Sequence, residues 1–244
     1  MSTPGPSTPI VTAVVVDDAT VIRESLPALM PEIDFVGSHT RVETLLQERP
    51  RADLVVLDLH LSNAAQPSAR QGVAAVRAVA AAGYRLCVYS QEERRFVLAA
   101  CMAAGATGIV SKSAPTTVAQ SAFIDVAAGQ VVVPQSVITV MELLVRRDCI
   151  TILSERQRQV LAGRARGLTY SEISRELYLS ESTLRGYWRD LTTTVASHLH
   201  QTTAAEIERA LGLGPGDLLD FWPGEHTAQA DDASAWWTVR SRRS

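Results

Sequence analysis

Lysine is almost missing from this chain. Of 23 basic residues 22 are arginine, and Lys112 is the single lysine. The bias fits a GC-rich coding sequence and says nothing of fold. It does make the place of that one ammonium informative, because a compact, rotatable ammonium and a planar guanidinium are not interchangeable. Cysteine is scarce too. Cys87, Cys101 and Cys149 are odd in number, far apart, and form no CxxC or Cys/His cluster. That excludes a zinc framework and the disulfide scaffold of small secreted domains. Cys87 and Cys101 lie in apolar segments and are expected as small buried hydrophobes. No uninterrupted apolar run reaches the roughly 18–20 residues of a spanning helix. Residues 1–9, MSTPGPSTP, have neither the charged nor the apolar region of a signal peptide and read as a disordered leader. A cytoplasmic protein without a membrane partner is expected. Global basicity is lacking as well: the net charge is −3, so any nucleic-acid site has to be local.

What is present is a regular alternation. The chain has 244 residues, enough for one large domain or two smaller ones, and a 46 % hydrophobic fraction that can supply a core. Strand-like runs at Ile10–Val16, Phe35–His39, Leu54–Leu59, Leu86–Tyr89 and Thr107–Val110 alternate with amphipathic runs. Those lie at Thr20–Met30, Arg41–Glu48, Gly72–Ala81, Glu92–Ala104 and Pro115–Ala128, and Pro31, Pro50, Gly83 and Gly105 fall where helices should stop. Repeated short βα units imply a (βα)5 doubly wound parallel sheet with helices on both faces, over residues 10–128.

The run LVVLDLH at Leu54–His60 organises that domain. It is the continuous apolar run of a buried parallel strand, and Asp58 stands at its C-terminal end, where open α/β sheets place their ligands. Val14–Val16 run into Asp17-Asp18, Leu86–Tyr89 into Ser90, and Ile109-Val110 into Ser111-Lys112. Two acids, a third acid, a hydroxyl and the ammonium are thereby delivered to one rim. Such an acid cluster is costly without a cation, and its hard oxygens suit Mg²⁺. Each residue has an ordinary alternative: Asp-Asp after a strand serves as a helix cap, Ser90 as a loop hydroxyl, Lys112 as a solvated charge.

Taken together, the order and the spacing, about 40, 32 and 22 residues between Asp18, Asp58, Ser90 and Lys112, resemble the receiver domain of bacterial two-component response regulators. The resemblance implies Asp58 as phosphoacceptor, with Mg²⁺ held by Asp17, Asp18, Asp58 and the His60 backbone carbonyl. Ser90 is then the switch hydroxyl and Lys112 the partner of the phosphoryl group. Three departures accompany it. Leu61-Ser62 stand where a Met-Pro pair is usual, before a longer Asn-Ala-Ala-Gln-Pro loop; Ile109 replaces the swinging aromatic; Ser113 replaces the residue, usually proline, after the lysine.

Residues 129–150 form a connector, with a helix expected at Ser136–Arg147 that packs between two domains or belongs to the first. Residues 151–213 hold no strand pattern but several helix starts. Ser154 with Gln157, Thr169 with Glu172 and Thr203 with Glu206 fit the capping box, and Ser180 is a further N-cap. Helices are expected at Glu155–Arg166, Tyr170–Leu177, Glu181–Thr193 and Ala204–Leu211, with Tyr178-Leu179-Ser180 as the turn of a helix-turn-helix. In the third, Leu184, Trp188 and Leu191 make a buried stripe. Its other face carries Glu181, Ser182, Arg185, Gly186 and Arg189, and the two arginines, one turn apart, suit a major groove. Beyond Gly212 the composition loosens, and residues 214–244 read as a disordered tail, though Phe221-Trp222 and Trp236-Trp237 break the pattern.

The stretch LSERQRQVLAGRARGLTYSEISRELYLSESTLRGYWRDL resembles the LuxR/FixJ/NarL type of helix-turn-helix, about 40 residues of it. Tyr187 and Thr194-Val195 depart from that pattern. The resemblance implies a transcriptional regulator that binds double-stranded promoter DNA, partners a sensor histidine kinase and dimerises when active, with the Ala204–Leu211 helix in the dimer contact. Seven arginines against five acids over residues 151–200 leave one copy few phosphates to neutralise. Two other readings stand beside it. In one, the receiver works without phosphorylation and is gated by a ligand or partner. In the other, the chain is an aspartyl-phosphate hydrolase, a class that carries an acid where His60 stands; the expectation here is no enzyme.

Overall fold

Each of the five apolar runs becomes a strand and each amphipathic run between them a helix. The computed structural model describes residues 11–61, 70–218 and 222. The α/β half runs β1 (Val11–Val16), α1 (Thr20–Leu29), β2 (Ile33–His39), α2 (Val42–Glu48), β3 (Leu54–Leu57), α3 (Gly72–Ala81), β4 (Leu86–Ser90), α4 (Arg95–Ala103), β5 (Gly108–Ser111) and α5 (Thr116–Ala127). Five helices follow: α6 (Gln135–Arg146), α7 (Glu155–Ala165), α8 (Tyr170–Leu177), α9 (Glu181–Gln201) and α10 (Ala204–Leu211). The leader 1–9 and the loop 62–69 after the proposed acceptor lie outside the described residues.

All strand pairs are parallel, in the order β2-β1-β3-β4-β5. Every residue of β3 is buried, as the continuous apolar run of a two-sided sheet requires. The order reverses between β1 and β3, and the crevice of such a sheet opens there, at the strands' C-terminal ends. One face packs Ala13, Val15, Leu54 and Val56 against α1 and α5 through Leu26, Met30 and Phe123. The other face starts a core that continues through α4 and α6 to Leu161, Leu184, Leu191 and Ile207. Gly108 lets α5 approach this closely: a Cβ there would stand 2.5 Å from Val126 Cγ2 and 2.6 Å from Cys87 Sγ.

Three stretches depart furthest from the sequence expectation. The α4 helix begins at Arg95 rather than Glu92, because the Glu92 carboxylate accepts from the Arg94 backbone N–H at 2.8 Å and its guanidinium at 2.6 Å, holding 92–94 as a turn. The α9 helix does not stop at Thr193 but runs 21 residues to Gln201. Three threonines in a row lower helix propensity, yet Thr192, Thr193 and Thr194 return their hydroxyls to the carbonyls of Trp188, Arg189 and Asp190, and Val195 and Leu199 are fully buried beyond them. The chain also stays packed past Gly212, which caps α10 in the left-handed conformation. Leu218 and Trp222 are buried, so residues 214–218 and Trp222 of the expected loose tail are packed; Phe221, Trp236-Trp237 and the rest of that tail lie outside the described residues. The Glu208 carboxylate accepts from the backbone N–H of Gly216 and Leu218, and the Trp222 indole donates to the Thr202 carbonyl.

The connector is integrated with both halves. Val132 bridges Gly108 on the β5 edge and accepts the Ile109 N–H, and α6 packs on α4, α7 and α10.

Candidate functional site

Backbone pairing brings the acidic rim together. The Asp58 N–H donates to the Val16 carbonyl at 2.9 Å, so the turn after β3 is laced to the end of β1, and the Lys112 N–H donates to the Ser90 carbonyl at 3.0 Å. Ser90 and Ser111 are partners across β4 and β5. Register alone therefore stacks the residues after β1, β3, β4 and β5 along one edge. Asp17, Asp58 and Ser90 are buried, at 1 %, 4 % and 2 % exposure.

Lys112 joins the cluster. Its Nζ lies 2.7 Å from Asp17 Oδ2 and 2.9 Å from Asp58 Oδ2. The second oxygen of each carboxylate takes a backbone donor: Asp17 Oδ1 accepts from Ala19 N–H and Asp58 Oδ1 from Leu59 N–H. Burial pushes the Asp17 carboxyl above its usual range, against the lowering by Lys112 and Ala19. Burial works to lower the Lys112 pKa, but its hydrogen bonds to Asp17 and Asp58 and their charge outweigh that and raise it. At neutral pH the ammonium is thus held in its charged form between two acids.

Asp17, Asp18 and Asp58 each offer an oxygen within 4.8 Å of the others. Three hard carboxylates, two of them buried, fit a small divalent cation. The His60 side chain turns toward Ser90, with Nδ1 3.5 Å from Oγ, and its carbonyl belongs to the turn that follows Asp58. Reading the sequence missed Arg23, whose guanidinium donates to the carbonyls of Asp17 and Asp18 and pins the acid turn onto α1. No motif marks it; only the helical path from Thr20 brings it back.

The second set of residues lies on α9. Ser180 caps that helix, accepting the Thr183 N–H at 3.1 Å, and Tyr178 turns the chain from α8 in a left-handed conformation at φ 56°. Thr169 with Glu172 forms the expected capping box at the start of α8. Leu184 and Leu191 are fully buried and Trp188 half-buried, so the predicted stripe faces the core. Glu181, Ser182, Arg185 and Arg189 are exposed and Gly186 is half-exposed; all five share one face. Gly186 has open space around its Cα, with nothing within 4 Å of a built Cβ. Arg185 pairs with Glu181 at 3.5 Å and stands over the Tyr170 ring, a neighbour that helical periodicity within α9 could not reveal. Ile207 of α10 is buried on its own chain, leaving Ala205 and Arg209 exposed.

Comparison with known proteins bears on both halves. Residues 151–201 match the family of bacterial regulatory proteins of the luxR type. Over 216 residues, 82 % of this chain and 97 % of the relative, the sequence is 25 % identical to the DNA-binding transcriptional activator DevR/DosR of Mycobacterium tuberculosis. Among solved structures, the signal receiver domain of the response regulator NarL from Mycobacterium tuberculosis is 22 % identical, covering 49 % of this chain and 98 % of that one at a TM-score of 0.44. The RcsB response regulator of Salmonella typhimurium is 17 % identical, covering 83 % and 98 % at a TM-score of 0.48.

Proposed function

We propose that this chain, with a luxR-type domain over residues 151–201 behind a receiver-like α/β domain, is a DNA-binding response regulator controlled by phosphorylation of Asp58. The observation that carries the proposal is the ammonium of Lys112 bridging Asp17 and Asp58 across the point where strand order reverses. A carboxylate so placed is a nucleophile with a cation ready for the incoming charge. An Asp58 oxygen attacks phosphorus of a phosphohistidine on a sensor histidine kinase. The O–P bond forms as the P–N bond breaks, and the leaving imidazole takes up a proton. Lys112 then pairs with the phosphoryl oxygens and the Ser90 hydroxyl donates to one of them. Asp17, Asp18, Asp58 and the His60 carbonyl would hold Mg²⁺, whose charge offsets that of the phosphoryl group.

The output is binding to duplex promoter DNA through Glu181, Ser182, Arg185, Gly186 and Arg189, as a homodimer. A single reader with two exposed arginines on its recognition face neutralises few phosphates, and pairing two copies doubles that number. The domain division 10–128, 129–150 and 151–213, and a cytoplasmic location, belong to the same proposal.

A second reading, gating by a ligand or partner without phosphorylation, draws on one feature. Ile109 lines a cleft of about 300 Å³ together with Ser90, Leu98 and Pro134, where the connector meets the α/β half. Intact-protein mass after incubation with acetyl phosphate and Mg²⁺ separates the two. One phosphate adduct on the wild type and none on Asp58→Asn supports phosphorylation. No adduct, in a protein that still binds DNA, sinks it.

A further inference from the structure

Arg164, Tyr170, Arg185 and Trp188 form a linked column on the helix-turn-helix. The Arg185 guanidinium carbon lies 4.6 Å from the Tyr170 ring centroid, and that of Arg164 lies 4.9 Å from the same ring and 5.7 Å from the Trp188 ring. One aromatic ring thus serves two cations, whose mutual repulsion its quadrupole offsets.

The two arginines are not equivalent. Arg164 is half-buried and tied down: its Nη1 donates to the Leu168 carbonyl at 2.8 Å. Arg185 is open to solvent, its side chain 63 % exposed, and its other hold is the long 3.5 Å pair with Glu181 on its own helix. Tyr170 is the first residue of α8, set by the Thr169 and Glu172 capping box, and its ring is half-buried. A half-buried ring therefore stands under a solvent-exposed guanidinium.

We infer that Tyr170 is a positioning residue for DNA readout: its ring orders Arg185 so that the guanidinium fork is presented to a base edge before DNA arrives. An unrestrained arginine gives up rotamer freedom on making a two-point contact, and a ring that already limits those rotamers reduces that cost. Arg164 and Trp188 hold the platform. The inference rests on the DNA-binding reading above and adds to it a residue outside α9.

The test is a double-mutant cycle in the full chain, with two probes: the duplex that wild type enriches from a randomised pool, and poly(dI-dC) as non-specific DNA. Tyr170→Leu should weaken binding to the enriched duplex about two- to fivefold, the range of a cation–π contact at an exposed site. It should leave poly(dI-dC) binding and the salt dependence unchanged, since no charge is removed. Tyr170→Phe keeps the ring and should bind as wild type. In an Arg185→Ala background Tyr170→Leu should have no further effect. An equal loss in both backgrounds, or tighter binding by Tyr170→Leu, overturns the inference. Should Tyr170→Leu fail to fold, judged by far-ultraviolet circular dichroism, Tyr170→Met takes its place under the same expectations. A wild type that enriches no duplex sinks the DNA reading itself, an outcome distinct from a null cycle.

Discussion

Replacing Lys112 by methionine tests the acidic rim most directly. The ammonium lies 2.7 and 2.9 Å from two carboxylates, and the side chains of Lys112, Asp17 and Asp58 are 12 %, 2 % and 5 % exposed. Removing one partner from a buried, hydrogen-bonded ion pair costs about 3–5 kcal/mol, because the remaining charge is left without compensation. Here the remaining charge is double, but the rim borders solvent and Asp17, already raised, can take up a proton. One pKa unit corresponds to about 1.4 kcal/mol, so protonation relieves a good part of the loss. A value near 3 kcal/mol is expected at pH 8. The sign of the pH dependence follows from the direction of the shift. Without Lys112, the folded-state pKa of Asp17 moves further above its unfolded value of 3.8. A raised carboxyl contributes stability below its unfolded value and loses it as pH rises through the folded value. The variant should therefore be hurt most at pH 8 and progressively less toward pH 5. Millimolar Mg²⁺ should restore more stability to the variant than to wild type, because a cation that binds only the folded rim stabilises by mass action. Urea unfolding followed by far-ultraviolet circular dichroism at pH 8, 6.5 and 5, with and without Mg²⁺, reads all of this. A loss under about 1 kcal/mol at pH 8, or one that does not shrink on acidification, refutes the coupled-charge account.

Other perturbations probe the frame around the site. Gly108→Ala places a methyl 2.5 Å from Val126 Cγ2 and 2.6 Å from Cys87 Sγ; a loss of about 1–3 kcal/mol is expected, and an unchanged urea midpoint would mean that α5 yields freely. Glu208→Ala strips the acceptor from two backbone donors at about 1–3 kcal/mol, and should red-shift Trp222 emission; no shift relative to a Trp222→Phe control would unseat the packed C-terminal segment. Thr169→Ala should cost about 1 kcal/mol through loss of the α8 cap, read as a lower melting temperature. The Glu172 and Glu206 carboxyls, held below 4.5 by the backbone N–H groups and hydroxyls of Thr169 and Thr203, contribute stability above pH 4.5 that is lost as pH falls through their lowered values. Glu172→Gln with Glu206→Gln should flatten that acid limb in circular dichroism, and an unaltered limb would place the acid sensitivity elsewhere.

The sheet was legible because its signal is long-range and redundant: apolar runs, stops and polar strand ends all agree on one parallel topology. The rim followed, since in such a sheet the residue after each strand has only one edge to occupy. What sequence could not give was anything decided by one neighbour. Glu92 looked like a helix residue until its carboxylate closed on Arg94. Thr192–Thr194 looked like a helix end, because propensity is summed locally while the burial of Val195 and Leu199 is not. The chain past Gly212 has the composition of a loose tail, and the single buried carboxylate of Glu208 overrides it over a few residues. Tyr170 beneath Arg185 was invisible for the same reason: the two residues sit on different helices whose crossing no periodicity encodes.

The long α9 gives the proposed control its physical route. Twenty-one residues span about 30 Å, with the proposed recognition residues in the first half and a dock on the α/β half in the second. His200 Nδ1 contacts the Ala103 carbonyl at the end of α4 at 2.7 Å, and α4 packs along α9. Arg185 and Arg189 stay exposed while this dock is made. In this arrangement, then, the α/β half does not act by covering the reading face. What it holds is the far end of the helix that carries that face. The α4 helix itself follows directly from Ser90 through the Glu92–Arg94 turn. On the proposed phosphorylation, a phosphoryl group drawing Ser90 toward Asp58 would pull on the start of α4, against which α9 packs. Either α9 tilts with α4, re-aiming Arg185 and Arg189, or the contact of His200 with Ala103 opens and frees the reader to pair with a second copy. Only the second outcome begins with loss of that hydrogen bond; on that route His200→Ala should reproduce the phosphorylated chain's DNA affinity without any phosphate. An affinity in this variant equal to that of the unmodified wild type would show that the dock is not the restraint.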